Sequence, residues 1–147
     1  MSLLKHYRGH SSDSRAQYRA FHEYFPNGTI YTIDIFARTN PKDLDILHKD
    51  RVEWLKWDST DAALGKKIRE TWGDVKFDLI IGSTPWTAGD RLISQLKIHF
   101  KCPAFLILWD IFPQNAKDLG LIRNPLIFNF FKSRELKSLK NFDYIGC

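Results

Sequence analysis

The stretch that decides the fold is residues 105–120, which read FLILWDIFPQNAKDLG. It opens with five consecutive apolar residues, a pattern typical of a strand buried on both faces inside a parallel sheet. The run ends abruptly at Asp110, and Pro113 cannot continue a central strand. Because ligands of open α/β sheets bind beyond the carboxyl ends of the strands, Asp110 is a candidate site residue. The simpler alternative is that Asp110 only caps the turn or helix that follows.

Helical and strand patterns alternate along the rest of the chain. The predicted strands are 3–7, 29–36, 52–57, 77–82, 104–109 and one that opens at Phe142. The predicted helices are 12–25 with Ser12 or Asp13 as cap, one that starts after Ser59 or Thr60 and ends near Trp72, 87–100, and 125–140. Such alternation implies right-handed crossovers and a mostly parallel sheet covered on both faces. We therefore predict one α/β domain over residues 1–147, with three α/β/α layers.

Composition limits the class of protein. The chain has 147 residues, enough for one domain with a sizeable core, and its 11 Phe, five Trp and five Tyr exclude a disordered chain. No apolar run is long enough to span a bilayer, and the first ten residues lack the apolar region of a signal peptide. Cys102 and Cys147 lack metal-ligand spacing, so we expect reduced thiols in a cytoplasmic protein that is soluble or membrane-peripheral.

The net charge of +5 is unevenly distributed. Residues 123–140 carry one acid, Glu135, among five basic side chains, which are Arg123, Lys132, Arg134, Lys137 and Lys140. A basic helix with bulky apolar residues can lie on an anionic membrane surface or bind a phosphorylated partner. In the alternative interpretation, its apolar side packs on the sheet and its cations are solvated. Phe128, Phe130 and Phe131 cover more than one helix face, so we expect an aromatic side chain to stay exposed or meet another domain.

Four stretches in the second half of the chain resemble a known family. They are FDLIIGSTP at 77–85, CPAFLILWDIFP at 102–113, LGLIRNPL at 119–126 and KNFDYIGC at 140–147. Together they look like the N-terminal half of family-4 retaining glycosyltransferases. The most specific part is WDIFP at 109–113 with LGLIRNP downstream. The similarity covers residues 77–147 well and residues 5–57 only in layout.

The resemblance implies the GT-B architecture, in which two Rossmann-like domains face each other across a cleft. The N-terminal domain receives a saccharide or lipid-linked acceptor, and the C-terminal domain holds the nucleotide-sugar donor. Transfer retains the anomeric configuration and needs neither a catalytic metal nor another cofactor. The sequence ends with the last strand of the N-terminal domain, so we expect this chain alone to be inactive. Many members act at the inner face of the cytoplasmic membrane, where Arg123, Lys132, Lys137 and Lys140 would form the contact surface.

The same resemblance, with the strand positions, suggests roles for particular residues. Asp110 would orient the acceptor hydroxyl or take its proton as the donor's diphosphate departs. Two groups would line the acceptor site at the carboxyl ends of the strands, namely Arg8, Gly9 and His10 after the first strand, and Ser83, Thr84 and Trp86 after the strand at 77–82. For the first group a plain surface loop is an equally good interpretation, and Trp86 also suits a packing role.

Other functional classes fit the sequence less well. Acids after strands, as at Asp58 and Asp110, occur in phosphoryl-accepting receiver domains, but no acid follows the first strand and Asp110 stands where a lysine is required. No G-x-G-x-x-G fingerprint for a dinucleotide follows the first strand. His22, His48 and His99 lack partners at metal-ligand spacing, and no basic stripe suited to nucleic acid lies outside 123–140. The remaining alternative is a regulatory or scaffold domain that keeps the fold without catalysis.

Overall fold

The computed structural model describes residues 1–6, 12–33, 49–57, 61, 63–84 and 90–146. The strands are β1 (Ser2–His6), β2 (Thr29–Ile33), β3 (Val52–Leu55), β4 (Leu79–Ser83), β5 (Ala104–Ile107) and β6 (Tyr144–Gly146). The helices are α1 (Ser12–Tyr24), α2 (Leu64–Trp72), α3 (Asp90–Phe100), α4 (Gln114–Asp118) and α5 (Pro125–Leu139), and a 3-10 turn at Lys49–Arg51 leads into β3. The chain divides into two compact units, residues 1–80 and 81–147.

The first unit is built on parallel strands in the order β3-β2-β1. Ser2 lies opposite Thr29 in the β1–β2 pair, and Ile30 lies opposite Val52 in the β2–β3 pair. The core residues of this unit share nearly complete burial and come from both strands and helices; they include Tyr18, Ile30, Ile33, Val52, Leu64, Ile68 and Phe77. Both the strands and the helices of this unit therefore bury apolar side chains, as the sequence pattern predicts.

The second unit begins within β4 and has the strand order β4-β5-β6. β5 and β6 are parallel, with Phe105 opposite Tyr144 and Ile107 opposite Gly146. An added Cβ at Gly146 would lie 2.6 Å from Cζ of Phe105, so this position has no room for a side chain unless the ring moves. The buried apolar residues of the unit include Leu92, Ile93, Leu96, Cys102, Ala104, Leu106 and Phe142.

The start of α5 follows from two neighbouring residues. Asn124 is the N-cap, and its side-chain oxygen accepts a hydrogen bond of 2.8 Å from the backbone nitrogen of Leu126. Pro125 occupies the first turn, where its missing N–H costs nothing and its fixed φ suits the helix. The capping bond of Asn124 and the fixed φ of Pro125 are therefore enough to explain why α5 begins at Pro125.

The predicted alternation of strands and helices is confirmed, and several bounds are corrected. β5 ends at Ile107, and its burial alternates, because Ala104 and Leu106 are buried while Phe105 and Ile107 are half-buried.

The helices also differ from the prediction. Helix α2 begins at Leu64 after Ala63, later than the caps predicted at Ser59 or Thr60. Helix α4 was not predicted. Ser12 and Asp13 lie within α1 rather than before it. Ile98, an apolar residue of α3, is 76% exposed. Residues 34–36, 58–60 and 87–89 lie outside the described residues.

Candidate functional site

Thr84 and Asp110 come together just beyond the ends of β4 and β5. The backbone nitrogen of Thr84 donates to the carbonyl of Ile107 at 3.1 Å, which extends the pairing of these two strands by one residue. The Thr84 hydroxyl oxygen then accepts hydrogen bonds from the backbone nitrogens of Trp109 at 2.8 Å and of Asp110 at 3.1 Å. The side chain of Thr84, directly after β4, thus fixes the backbone of Asp110.

Helix α4 supplies a second support for Asp110. The side-chain nitrogen of Asn115 donates to Oδ1 of Asp110 at 3.3 Å, while Oδ1 of Asn115 accepts from the backbone nitrogen of Ala116 at 2.9 Å. The second bond orients the carboxamide so that its N–H group faces the carboxylate. The backbone nitrogen of Asn115 also donates to the carbonyl of Ile111 at 3.0 Å, which closes the turn between β5 and α4.

The carboxylate of Asp110 is open to solvent. Asp110 is exposed, Trp109 beside it is 56% exposed, and Ile111 after it is 63% exposed. A surface carboxylate whose backbone and one oxygen are held in place can accept hydrogen bonds from hydroxyl groups of a ligand. Asp110 does not cap α4, because it precedes the helix by four residues and Pro113 occupies the N-cap position.

The structure brings only some of the predicted site residues together. Ser83 ends β4 and is half-buried, next in sequence to Thr84. Arg8, Gly9, His10 and Trp86 lie outside the described residues, so their placement in an acceptor site stays a prediction. Sequence reasoning missed Asn115 and Trp109. The one available signal was the short spacing from Asp110 to Asn115 across Pro113, which permits a turn to bring both side chains together.

Helix α5 and the residues that flank it present both cations and apolar groups to solvent. The predicted surface residues Arg123, Lys132, Lys137 and Lys140 are all exposed, and Leu126, Ile127, Phe130 and Leu136 are each about half exposed or more. Phe128 is half-buried, with the Nζ atoms of Lys117 and Lys132 at 4.7 Å and 5.9 Å from its ring centroid. The expectation that an aromatic side chain stays exposed is confirmed by Phe130, at 57%. Burial raises the pKa of Glu135, the single acid of this segment.

The described residues contain neither a membrane-spanning helix nor a group of metal ligands. None of the helices in this part of the chain has the length and apolar character needed to cross a bilayer. Within the same residues, no three His, Cys, Asp or Glu side chains form a group able to hold a metal ion. His22 is buried on α1, and His99 lies on α3 with its ring against Phe100.

The fold can be compared with known proteins. No protein-family model matches the sequence, and no curated protein sequence matches it. Among solved structures, dTDP-glucose 4,6-dehydratase from Bacillus anthracis in complex with NAD is similar, with a TM-score of 0.51 and 13% identity over 73% of this chain. The fold is Rossmann-like. WbmG from Bordetella bronchiseptica in complex with NAD matches with a TM-score of 0.44 and 14% identity over 74% of this chain. The chain spans 37% of the dehydratase and 36% of WbmG.

Proposed function

We propose that this chain is the acceptor-binding domain of a retaining glycosyltransferase. The reaction moves a sugar from a nucleotide-sugar donor, held by a second domain, to a saccharide or lipid-linked acceptor. The observation that carries the proposal is the exposed carboxylate of Asp110, which stands beyond β5 on backbone fixed by the Thr84 hydroxyl. The sequence resemblance over residues 77–147 supplies the reaction class, and the Rossmann-like fold is the one this class uses.

The chemistry assigned to Asp110 is general-base assistance. The acceptor hydroxyl donates a hydrogen bond to the carboxylate, which orients the hydroxyl oxygen toward the anomeric carbon of the donor. As the new carbon–oxygen bond forms, the bond from that carbon to the diphosphate breaks, the diphosphate leaves with the electron pair, and the hydroxyl proton passes to Asp110. A positioned side chain in this role contributes about 10²–10⁴ in rate.

Dinucleotide binding is a weaker proposal, although the similar dehydratase structure contains NAD. A Rossmann dinucleotide site needs several glycines directly after the first strand so that the backbone can approach the pyrophosphate. Residues 7–12 of this chain read YRGHSS, with one glycine. The likeness to the dehydratase therefore supports the proposal through the fold alone.

The surface of α5 supports peripheral contact with an anionic membrane. Four exposed cations, Arg123, Lys132, Lys137 and Lys140, occur with the exposed side chains of Leu126, Ile127 and Phe130. Cations bind anionic headgroups, and bulky apolar groups enter the boundary with the acyl chains. Such a contact, at the inner face of the cytoplasmic membrane, would bring the domain to a lipid-linked acceptor.

The test is sugar transfer by the protein in its natural full-length form. Purified protein is incubated with a panel of radiolabelled nucleotide sugars and a membrane-lipid extract or saccharide acceptors, and labelled product is counted. Asp110→Asn should lower kcat by about 10²-fold or more, with an unchanged midpoint of urea unfolding because Asp110 is exposed. The matched control is Asp118→Asn, which alters an exposed acid on the neighbouring helix α4.

Two outcomes count against the proposal, one against the role of Asp110 and the other against the transferase function. Transfer that is as fast in Asp110→Asn as in the wild type would remove the catalytic role of Asp110. A folded full-length protein that transfers no sugar from any donor would favour the regulatory or scaffold domain.

A further inference from the structure

Trp109 differs from the other tryptophans of the described residues. Trp54, Trp57 and Trp72 are half-buried, whereas Trp109 is 56% exposed. The ring of Trp72 packs against Tyr31, and Nε1 of Trp57 donates to the side chain of Asp61 at 3.1 Å. Trp109 is therefore a surface side chain, with more than half of its area in contact with water.

The exposed indole lies on an anchored backbone. The nitrogens of both Trp109 and Asp110 donate to the Thr84 hydroxyl, and the backbone nitrogen of Leu108 donates to the carbonyl of Gly146 at 2.7 Å. Three consecutive residues are thus tied to the ends of β4 and β6. A fixed backbone reduces the entropy that a ligand must overcome when it binds there.

A carboxylate follows Trp109 in the chain, and a carboxamide is hydrogen-bonded to that carboxylate. Asp110 and Asn115 are linked by the 3.3 Å hydrogen bond from Asn115 Nδ2 to Asp110 Oδ1. A carboxylate accepts from hydroxyl groups, and a carboxamide both donates and accepts, so the pair can bind neighbouring hydroxyls of one ring. A pyranose presents such hydroxyls at its edge and C–H groups on its face, and those C–H groups pack well against an aromatic ring.

We propose that Trp109, Asp110 and Asn115 form a saccharide subsite in which a pyranose ring stacks on Trp109. The acceptor group that receives the new sugar is then a ring hydroxyl of this pyranose, rather than the phosphate or hydroxyl end of a lipid without a sugar. The identity of the reacting hydroxyl rests on the proposed transferase function. The stacking of a pyranose on Trp109 does not, because binding needs neither donor nor transfer.

The first experiment measures binding without any donor. Methyl glycosides of common hexoses and N-acetylhexosamines are titrated into the protein, and tryptophan fluorescence reports binding. We expect a saturable change with at least one glycoside, weakened on the order of tenfold by Trp109→Ala, a size consistent with loss of an aromatic stacking partner. Trp109→Phe keeps an aromatic face and should restore part of the affinity. These variants change tryptophan fluorescence themselves, so isothermal titration calorimetry provides the affinities.

Controls separate stacking from unfolding and from membrane contact. Ile98→Ala removes another exposed apolar side chain, on α3, and should leave saccharide affinity unchanged. Urea unfolding should give the same midpoint for Trp109→Ala and the wild type. No glycoside binding by the wild type would overturn the inference. So would a Trp109→Ala protein that binds glycosides normally but binds anionic vesicles less well, since the indole would then belong to the membrane surface.

The second experiment distinguishes failure of this inference from failure of the transferase proposal. In the full-length protein, Trp109→Ala should raise the KM for a saccharide acceptor by roughly tenfold and change kcat by less than about threefold. Transfer to a polyprenyl phosphate without a sugar, unaffected by Trp109→Ala, would overturn the subsite and leave the transferase standing. Glycoside binding that depends on Trp109, in a protein that transfers nothing, would overturn the transferase and leave the subsite standing.

Discussion

The Thr84 hydroxyl accepts two backbone hydrogen bonds at the point where the chain leaves β5. Valine has nearly the same shape as threonine but cannot accept either bond, so Thr84→Val releases the nitrogens of Trp109 and Asp110 to water. We expect a loss of about 1 kcal/mol in the free energy of unfolding, because both nitrogens lie near the surface and water replaces part of the interaction. We also expect faster hydrogen exchange at these two amides.

Hydrogen exchange measured by NMR, together with urea unfolding, checks this prediction. Thr84→Ser keeps the hydroxyl and should leave both amides as protected as in the wild type. Equal exchange rates at Trp109 and Asp110 in the valine variant and the wild type would show that Thr84 does not hold this segment.

The proximity of Thr84 and Asp110 was predictable from the sequence. Each follows a strand pattern, and the carboxyl ends of neighbouring parallel strands lie at the same edge of a sheet. The roles of Asn115 and Trp109 were not predictable in this way. Asn115 reaches Asp110 through a turn that the sequence pattern does not specify, and the exposure of Trp109 depends on β5 ending two residues earlier than its apolar run.

At the scale of secondary-structure elements, one ion pair joins α3 to the turn before β6. The Nζ atom of Lys97 lies 2.8 Å from Oδ1 and 2.7 Å from Oδ2 of Asp143, and it also donates to the carbonyl of Asn141 at 3.1 Å. Oδ2 of Asp143 accepts from the backbone nitrogen of Ala104, the first residue of β5, at 2.8 Å. The carboxylate therefore ties α3, β5 and the start of β6 together.

The charge of Asp143 should make stability depend on pH. The hydrogen bond from Lys97, and then that from Ala104, lower the pKa of Asp143 from its ordinary value of 3.8. Since the folded-state pKa is below the unfolded one, the stabilisation is complete above the unfolded value and is lost as pH falls through the folded value. Asp143→Asn should cost about 1 kcal/mol at pH 7, a modest figure because the pair is partly exposed.

Urea unfolding of wild type and variant at a series of pH values tests the sign. The stability difference should shrink as the solution is acidified below the ordinary pKa of an aspartate. Glu70→Gln is the matched control, because the exposed side chains of Glu70 and Lys66 on α2 pair at 3.7 Å and should contribute less than about 0.5 kcal/mol. A difference that stays constant or grows in acid would contradict the role assigned to the Asp143 charge.

The type and order of most elements were predictable, whereas several ends were not. Strand 104–107 and helix 125–139 carry strong local signals, an apolar run in one and the Asn124–Pro125 start in the other. The start of α2 was placed too early: Ala63 makes no side-chain capping bond, and it is Asp61, after Ser59 and Thr60, whose Oδ1 accepts from the backbone nitrogen of Ala63 at 2.8 Å. Helix α4 has five residues, too few for an apolar period to appear in the sequence.

At the scale of the whole molecule, the protein carries a net charge of +5. Membrane binding could depend on this total charge or on the positions of particular cations. Long-range attraction depends on total charge, whereas contact depends on which cations lie at the surface of the bilayer. The exposed cations of residues 123–140 belong to the same segment as exposed Leu126, Ile127 and Phe130, so apolar groups and charges can enter the interface together. The positions of these cations, rather than the total charge, should therefore decide how tightly the protein binds an anionic membrane.

Two triple variants with the same total charge separate these possibilities. Replacing Lys132, Lys137 and Lys140 by Glu should weaken binding to phosphatidylglycerol-containing vesicles by roughly 1 kcal/mol for each cation removed near the surface. Replacing three exposed cations of the first unit by Glu, namely Arg19, Lys56 and Lys76, alters the net charge equally and should weaken binding much less. Both effects should fade as salt rises, because exposed charges more than about 10 Å apart are screened at 0.1 M. Co-sedimentation with vesicles measures the effect of each variant and of salt on binding. Equal losses of binding in the two variants would mean that total charge, rather than the surface of α5, controls binding. Vesicle binding unaffected by salt or by either variant would remove the membrane from the proposed function.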